Sequence, residues 1–305
     1  MNGVLVIDKP PGLTSHDVVN RVRRILGERS VGHLGTLDPS ATGVLPLVIG
    51  SFTRLAQFYA HSEKTYEGVI RFGFATDTYD ADGEATGAPQ GVHLSVEVME
   101  QLAARFRGAI EQMPPPFSAK KIGGVPAYKL ARKQREVQLK PVPVEVKEFV
   151  ILDVEGDRAT FRAHVGSGTY MRSIAHEMGE KLGCGAHLAR LRRTAVAEFR
   201  VEDAHSLEDL EVERKKESAD DFSERLFVHP RKLAPHLPCV TATEENVAMM
   251  RCGRSVNLPE MSRAPLVKVF YGQRELVAIA TRIAGTLFHA GIVLASSGRP
   301  VATQH

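Results

Sequence analysis

Apolar positions recur with two periods along this chain, outlining short strands interrupted by helices. Val4 to Asp8 reads as a strand followed by the turn Lys9-Pro10-Pro11-Gly12. Ser15 then caps a helix whose apolar positions Val18, Val19, Val22, Ile25 and Leu26 share one face, and Gly27 closes it. Residues 28–43, with Gly32, Gly35 and Gly43 and few apolar side chains, read as a loop, and Val44 to Ile49 as a buried strand. Lys64 to Phe74 alternates, placing Tyr66, Gly68, Ile70, Phe72 and Phe74 on one face and Glu67, Val69 and Arg71 on the other. Tyr66 therefore begins an otherwise apolar face.

Ser95 caps a second helix carrying Val98, Met99, Leu102 and Phe106, ended by Gly108. Pro114 to Pro116 open, and Pro141 and Pro143 close, a segment that reads as an insertion outside the core. Val144 to Val154 and Arg158 to Val165 read as paired strands joined at Glu155-Gly156-Asp157. A helix from about Tyr170 to Leu182 follows and stops at Gly183. Residues 202–224, acidic and poor in apolar side chains, read as a linker or a loosely held surface segment. Beyond Pro238 come a short helix, Glu244 to Met250, and strands at Leu266 to Tyr271, Glu275 to Arg282 and Thr286 to Val293. At 305 residues this organisation suggests a large domain over 1–233 and a small β-rich one over 236–305.

Composition is that of an ordinary globular protein, 43% hydrophobic and 25% charged. The run Val44 to Ile49 is broken by Pro46 and falls far short of the roughly 20 residues of a membrane helix. The N-terminus has no basic start and too short an apolar stretch for a secretory signal. Three scattered cysteines, Cys184, Cys239 and Cys252, fit a reducing compartment, so the cytoplasm is expected. Net charge is only +3, but its distribution is uneven. Between 117 and 143 seven Lys or Arg oppose one acid; between 202 and 224 ten acids oppose three bases. The basic run reads equally as a phosphate-contacting surface or as a solvated loop.

Several motifs are approached and missed. Gly166-Ser167-Gly168-Thr169 lacks the third glycine of a dinucleotide fingerprint, and His176-Glu177-Met178-Gly179-Glu180 lacks the second His of a zinc helix. Asp80-Ala81-Asp82-Gly83 lacks the outer ligands of a calcium loop, and no phosphate loop occurs. Neither metal nor cofactor is expected. Asp38 stands in a glycine-rich loop and is stiffened by Pro39, but a lone Asp-Pro more often caps a turn. Arg172 lies in the first turn of its helix, where a cation costs about 0.3–1 kcal/mol against the helix dipole. Either a carboxylate partner offsets that cost, holding the carboxylate ionised, or the arginine is solvent-exposed.

The chain resembles the TruB-type tRNA pseudouridine synthases from Val4 to about Arg193. The resemblance is carried by Asp8-Lys9-Pro10-Pro11-Gly12-Leu13-Thr14-Ser15 and by the stretch from Val31 through Gly35-Thr36-Leu37-Asp38-Pro39-Ser40-Ala41-Thr42-Gly43 to Pro46. Lys64-Thr65-Tyr66, residues 76–83, Pro115 to Lys121, Gly168-Thr169-Tyr170-Met171-Arg172-Ser173 and Leu182 to Leu188 add to it. It implies an α+β fold, the pseudouridine-synthase fold with a mixed, mainly antiparallel sheet, plus a PUA-like C-terminal RNA-binding domain. It also implies conversion of uridine-55 in the T-arm loop of tRNA to pseudouridine without cofactor, metal or obligatory protein partner. The base would be flipped out, cut from its sugar at nitrogen and rejoined through carbon 5.

By the same resemblance Asp38 is the catalytic aspartate, attacking the ribose or abstracting its proton. Tyr66 stacks on the base and takes part in proton removal at carbon 5, Arg172 pairs with the aspartate, and Asp80 joins that charge network. His33 fills space vacated by flipped bases, and Tyr170 and Leu191 line the uracil pocket. The insertion 112–143 becomes an RNA-clasping thumb with Lys120, Lys121, Lys129, Arg132 and Lys133 as phosphate contacts. Two other readings share the scaffold: a guide-RNA-dependent synthase subunit and a non-catalytic tRNA-binding or folding factor. A nucleoside glycosidase fits less well, since no second carboxylate shares the Asp38 loop.

Overall fold

The computed structural model describes residues 1–116 and 140–294, and the backbone of two short paired strands at Lys121–Ile122 and Val125–Pro126. In chain order the first part comprises β1 (Gly3–Lys9), α1 (Ser15–Leu26), β2 (Val31–His33), β3 (Thr42–Ile49) and β4 (Lys64–Phe72). Next come α2 (Val96–Ala104), β5 (Gly108–Gln112), the paired strands above as β6 and β7, β8 (Val142–Glu155), β9 (Arg158–Val165) and α3 (Met171–Leu182). The chain continues with β10 (Ala186–Val196), β11 (Phe199–Arg200), α4 (Leu207–Lys216) and α5 (Ala219–Leu226). It ends with β12 (Cys239–Thr241), α6 (Glu244–Arg251), β13 (Val256–Asn257), β14 (Leu266–Tyr271), β15 (Glu275–Ala284) and β16 (Leu287–Val293).

Nine of these strands form one sheet in the order β1-β3-β10-β4-β9-β8-β5, with β2 and β11 added beside β3 and β10. All its pairings are antiparallel except that of β10 with β3, so the sheet is mixed and mainly antiparallel, as expected. Buried side chains of β4, β8 and β9 pack with α2 and α3 around Phe149, Phe161 and Ile174. A second sheet, β12-β14-β15-β16-β13, closes its own core around Met250 and Phe288. It also shares a cluster with the first, in which Val4, Val44 and Phe199 meet Phe270 and Ile279.

Three local expectations are corrected. The cap of α1 is Thr14, not Ser15: its hydroxyl accepts from Asp17 N while Asp17 returns the bond, a capping box. That frees Ser15 to bond Leu37 in the loop between β2 and β3. The segment 202–224 is not a linker. It folds into α4 and α5, whose Leu207, Leu210, Phe222 and Leu226 are buried against α1 and β1, while the acids face outward. Four apolar positions at helical spacing suffice to dock it, although the charge conceals them.

The third correction is β10, the strand between β3 and β4, which the sequence pattern does not reveal. Its eleven residues include Arg190, Arg192 and Arg193, and its pairing with β4 slips twice, between Leu188 and Arg190 and between Arg193 and Ala195. Such bulges destroy the strict alternation by which a strand is read.

Candidate active site

The loop between β2 and β3 carries Asp38 and is clamped from beneath by three side chains. Ser15 Oγ accepts from Leu37 N at 2.8 Å and donates to Leu37 O at 3.1 Å, which anchors the buried leucine beside the aspartate. Lys9, fully buried, donates from Nζ to Pro39 O at 3.0 Å and Pro10 O at 2.9 Å. Arg193 donates to Gly35 O at 3.0 Å, Thr36 O at 3.3 Å and Val44 O at 2.8 Å. Each clamp satisfies carbonyls that an irregular loop would otherwise leave unpaired.

Arg172 meets this loop from the first turn of α3. Its Nε lies 3.0 Å from Asp38 Oδ2, and its Nη1 lies 3.4 Å from Asp80 Oδ2 and 3.2 Å from Thr78 O. Asp80 is itself oriented, its Oδ1 accepting from Thr78 Oγ1 at 2.6 Å and from Asp82 N at 3.1 Å. The cation at the helix start is thus offset by carboxylates, as one of the two sequence readings required.

Asp38 is half-buried, with 41% of its side chain still open toward the cavity. Burial pushes its carboxyl above the ordinary aspartate value, Arg172 opposes this, and Asp80 and Asp82 add to it. Burial also brings Lys9 and Lys64 each down to about 8, with Asp38 pulling Lys9 the other way and Arg193 pushing Lys64 further down.

A cavity of about 270 Å³ opens over Asp38, lined among others by Tyr66, Tyr170, Arg172, Leu191, Lys64 and Arg193. Tyr66 is buried on the inner face of β4, and Leu191 pairs with Gly68 across β10 and β4. Tyr170 is set at the head of α3 by the fully buried Gln112, which accepts from Tyr170 N at 2.8 Å and donates to its carbonyl at 3.1 Å. His33 does not line the cavity. It ends β2, and burial together with Arg193 lowers its pKa, favouring the neutral ring. Of the basic thumb residues, Lys120, Lys129, Arg132 and Lys133, and the side chain of Lys121, lie outside the described residues.

Sequence reasoning missed Gln112, Lys9 and Lys64 as site residues, and above all Arg193. The signal for Lys9 and Lys64 was their place within the quoted motifs; Arg193 had none, because its strand was unread. Among the described residues no group of three or more His, Cys, Asp or Glu side chains is arranged to hold a metal ion.

The family model described as the TruB family pseudouridylate synthase N-terminal domain matches residues 23–171. That of the tRNA pseudouridylate synthase B C-terminal domain matches residues 172–237. A tRNA pseudouridine synthase B of Solibacter usitatus is 49% identical over 297 residues, 96% of this chain and 100% of that protein. The chain belongs to the TruB family of pseudouridylate synthases. Another family member, from Bacillus cereus, is 39% identical over 92% of both chains.

The pseudouridine-synthase fold is shared with solved structures. An H/ACA ribonucleoprotein bound to a substrate RNA containing 2'-deoxyuridine has a chain with a TM-score of 0.69 and 26% identity, covering 96% of this chain and 85% of that one. An archaeal box H/ACA Nop10–Cbf5 complex gives 0.68 and 27%, covering 96% and 86%. Of the TruB chain's site residues, Asp38, Tyr66, Asp80 and Tyr170 fall in the first matched region and Arg172 and Leu191 in the second, so the cavity lies on their junction.

Proposed function

We propose that this chain converts uridine-55 in the T-arm loop of tRNA to pseudouridine, with Asp38 as nucleophile or base toward the ribose. The observation that carries the reading is Asp38, held by Arg172 at a cavity lined by Tyr66, Tyr170 and Leu191. A cleft walled by two tyrosines and a leucine, with a single carboxylate, suits a flat, uncharged base turned out of its stack, whose unstacking costs a few kcal/mol. Arg172 favours the ionised form that either role of Asp38 requires, and Asp80 fixes Arg172. Tyr66 faces the base and takes the carbon-5 proton after the base has turned. The thumb, 112–143, and a PUA-type unit over 236–305 hold the RNA around a catalytic unit of residues 1–233.

A second reading, a guide-RNA-dependent subunit, is favoured by the likeness to chains of H/ACA ribonucleoproteins. Against it stands the higher identity to tRNA pseudouridine synthase B proteins along their whole length. The test is tritium release from carbon-5-labelled uridine in unmodified tRNA, with neither guide RNA nor added protein. Wild type should release it and Asp38→Asn should not. Equal release by both would remove Asp38 from the chemistry, and release only with guide RNA would favour the second reading.

A further inference from the structure

Arg193 is the largest fully buried side chain in the described structure, and no ion pair to a carboxylate is found for it among the described residues. A guanidinium buried without a counter-ion is costly, and three carbonyls supply dipoles but no charge. A neutral side chain would be cheaper for simply bracing the loop. A further neighbour gives the reason: Tyr66, which lines the same cavity over Asp38 as Arg193 does.

The sheet makes this contact unavoidable. Arg193 pairs directly with Tyr66 across β10 and β4, and with Gly43 across β10 and β3. Residues directly opposite in an antiparallel pair point to the same face, so the two side chains meet. Gly43 lets the backbones close on the other side: a Cβ there would stand 2.1 Å from Arg193 O. One residue is therefore held between the strand bearing Tyr66 and the start of the strand that follows the Asp38 loop.

We propose that Arg193 is a positioning residue for removal of the carbon-5 proton: fixed by the loop carbonyls, its guanidinium holds the Tyr66 phenol oxygen in place over the base to accept that proton. This rests on the reading of Tyr66 given above. In that step the C5–H bond breaks and its electron pair forms the C5–C6 double bond, the C6–N1 π pair moves onto N1, which takes a proton from solvent, and the carbon-5 proton passes to the phenol oxygen as the phenol releases its own proton to solvent. Glycosidic cleavage and reattachment precede this step and do not need it.

Transfer RNA carrying 5-fluorouridine at the target separates the stages, because carbon 5 then has no proton to lose and rearrangement stops short of that step. Single-turnover rates on uridine-tRNA and fluorouridine-tRNA give a ratio that a merely structural role would leave unchanged, since both rates would fall together. In Arg193→Gln the ratio should fall at least about tenfold, with Arg193→Lys between it and wild type. Tyr66→Phe should lower the same ratio, and adding Arg193→Gln to it should lower the ratio no further. A ratio within about twofold of wild type in Arg193→Gln overturns the proposal. If that variant does not fold, Arg193→Lys decides: a ratio lowered about threefold supports it and an unchanged one overturns it. A wild type that rearranges neither RNA would defeat the underlying functional reading instead.

Discussion

Arg172 joins Asp38 at 3.0 Å, and the same guanidinium reaches Asp80 at 3.4 Å, so one buried cation serves two carboxylates. The arrangement opposes burial, which raises the Asp38 carboxyl, with a positive charge that lowers it. A chemistry that needs the anion must then fail on the acid side at a pH above that of an ordinary aspartate.

The acid limb of kcat should therefore respond in opposite senses to the two partners. Asp80→Asn removes a charge that raises Asp38, so the limb moves to lower pH. Arg172→Met removes the charge that lowers it, so the limb moves to higher pH, and kcat falls on the order of 10²-fold or more. A pH–rate profile of tritium release measures both; a limb that does not move in either variant would separate it from Asp38.

Gly43→Ala should unfold more readily than wild type. The residue sits at φ 100° and faces Arg193 O. The backbone conformation alone costs about 1–3 kcal/mol, and the displaced strand adds to it. Thermal melts check this, and activity should drop with stability because Arg193 shifts with β10. A melting temperature equal to wild type would mean that the strands can separate without cost.

Phe222→Ala tests whether the acidic segment belongs to the folded body. Its ring, on α5, is fully buried in a cluster shared with α1, β1 and α4, so truncation should cost roughly 3–5 kcal/mol. Urea unfolding would show it as a lower midpoint at unchanged slope. A segment that behaved as a linker would show no change.

Neutralising Lys120, Lys121, Arg132 and Lys133 together should weaken tRNA binding and flatten its dependence on salt, since each lost phosphate contact removes a share of counterion release. Filter binding at several salt concentrations reads the slope. An unaltered slope would take the thumb out of the RNA interface.

Local periodicity was enough to find most helices and strands here, because α1, β4, β8, β9 and α3 each bury one face and carry their own caps or turns. The motifs around Asp38, Tyr66 and Arg172 were likewise readable as a set, through their resemblance to a family. What sequence alone could not decide was how these segments meet. Whether Arg172 faced solvent or Asp38 depended on α3 and the loop after β2 being brought together by a sheet whose strand order is not the chain order. The acidic helices looked unattached because charge outweighs four apolar positions in any window, whereas docking depends only on the face those four share. Arg193 was invisible for the most general reason: a buried guanidinium is defined by its neighbours, here Gly35, Thr36, Val44 and Tyr66, and these come from three other segments of the chain.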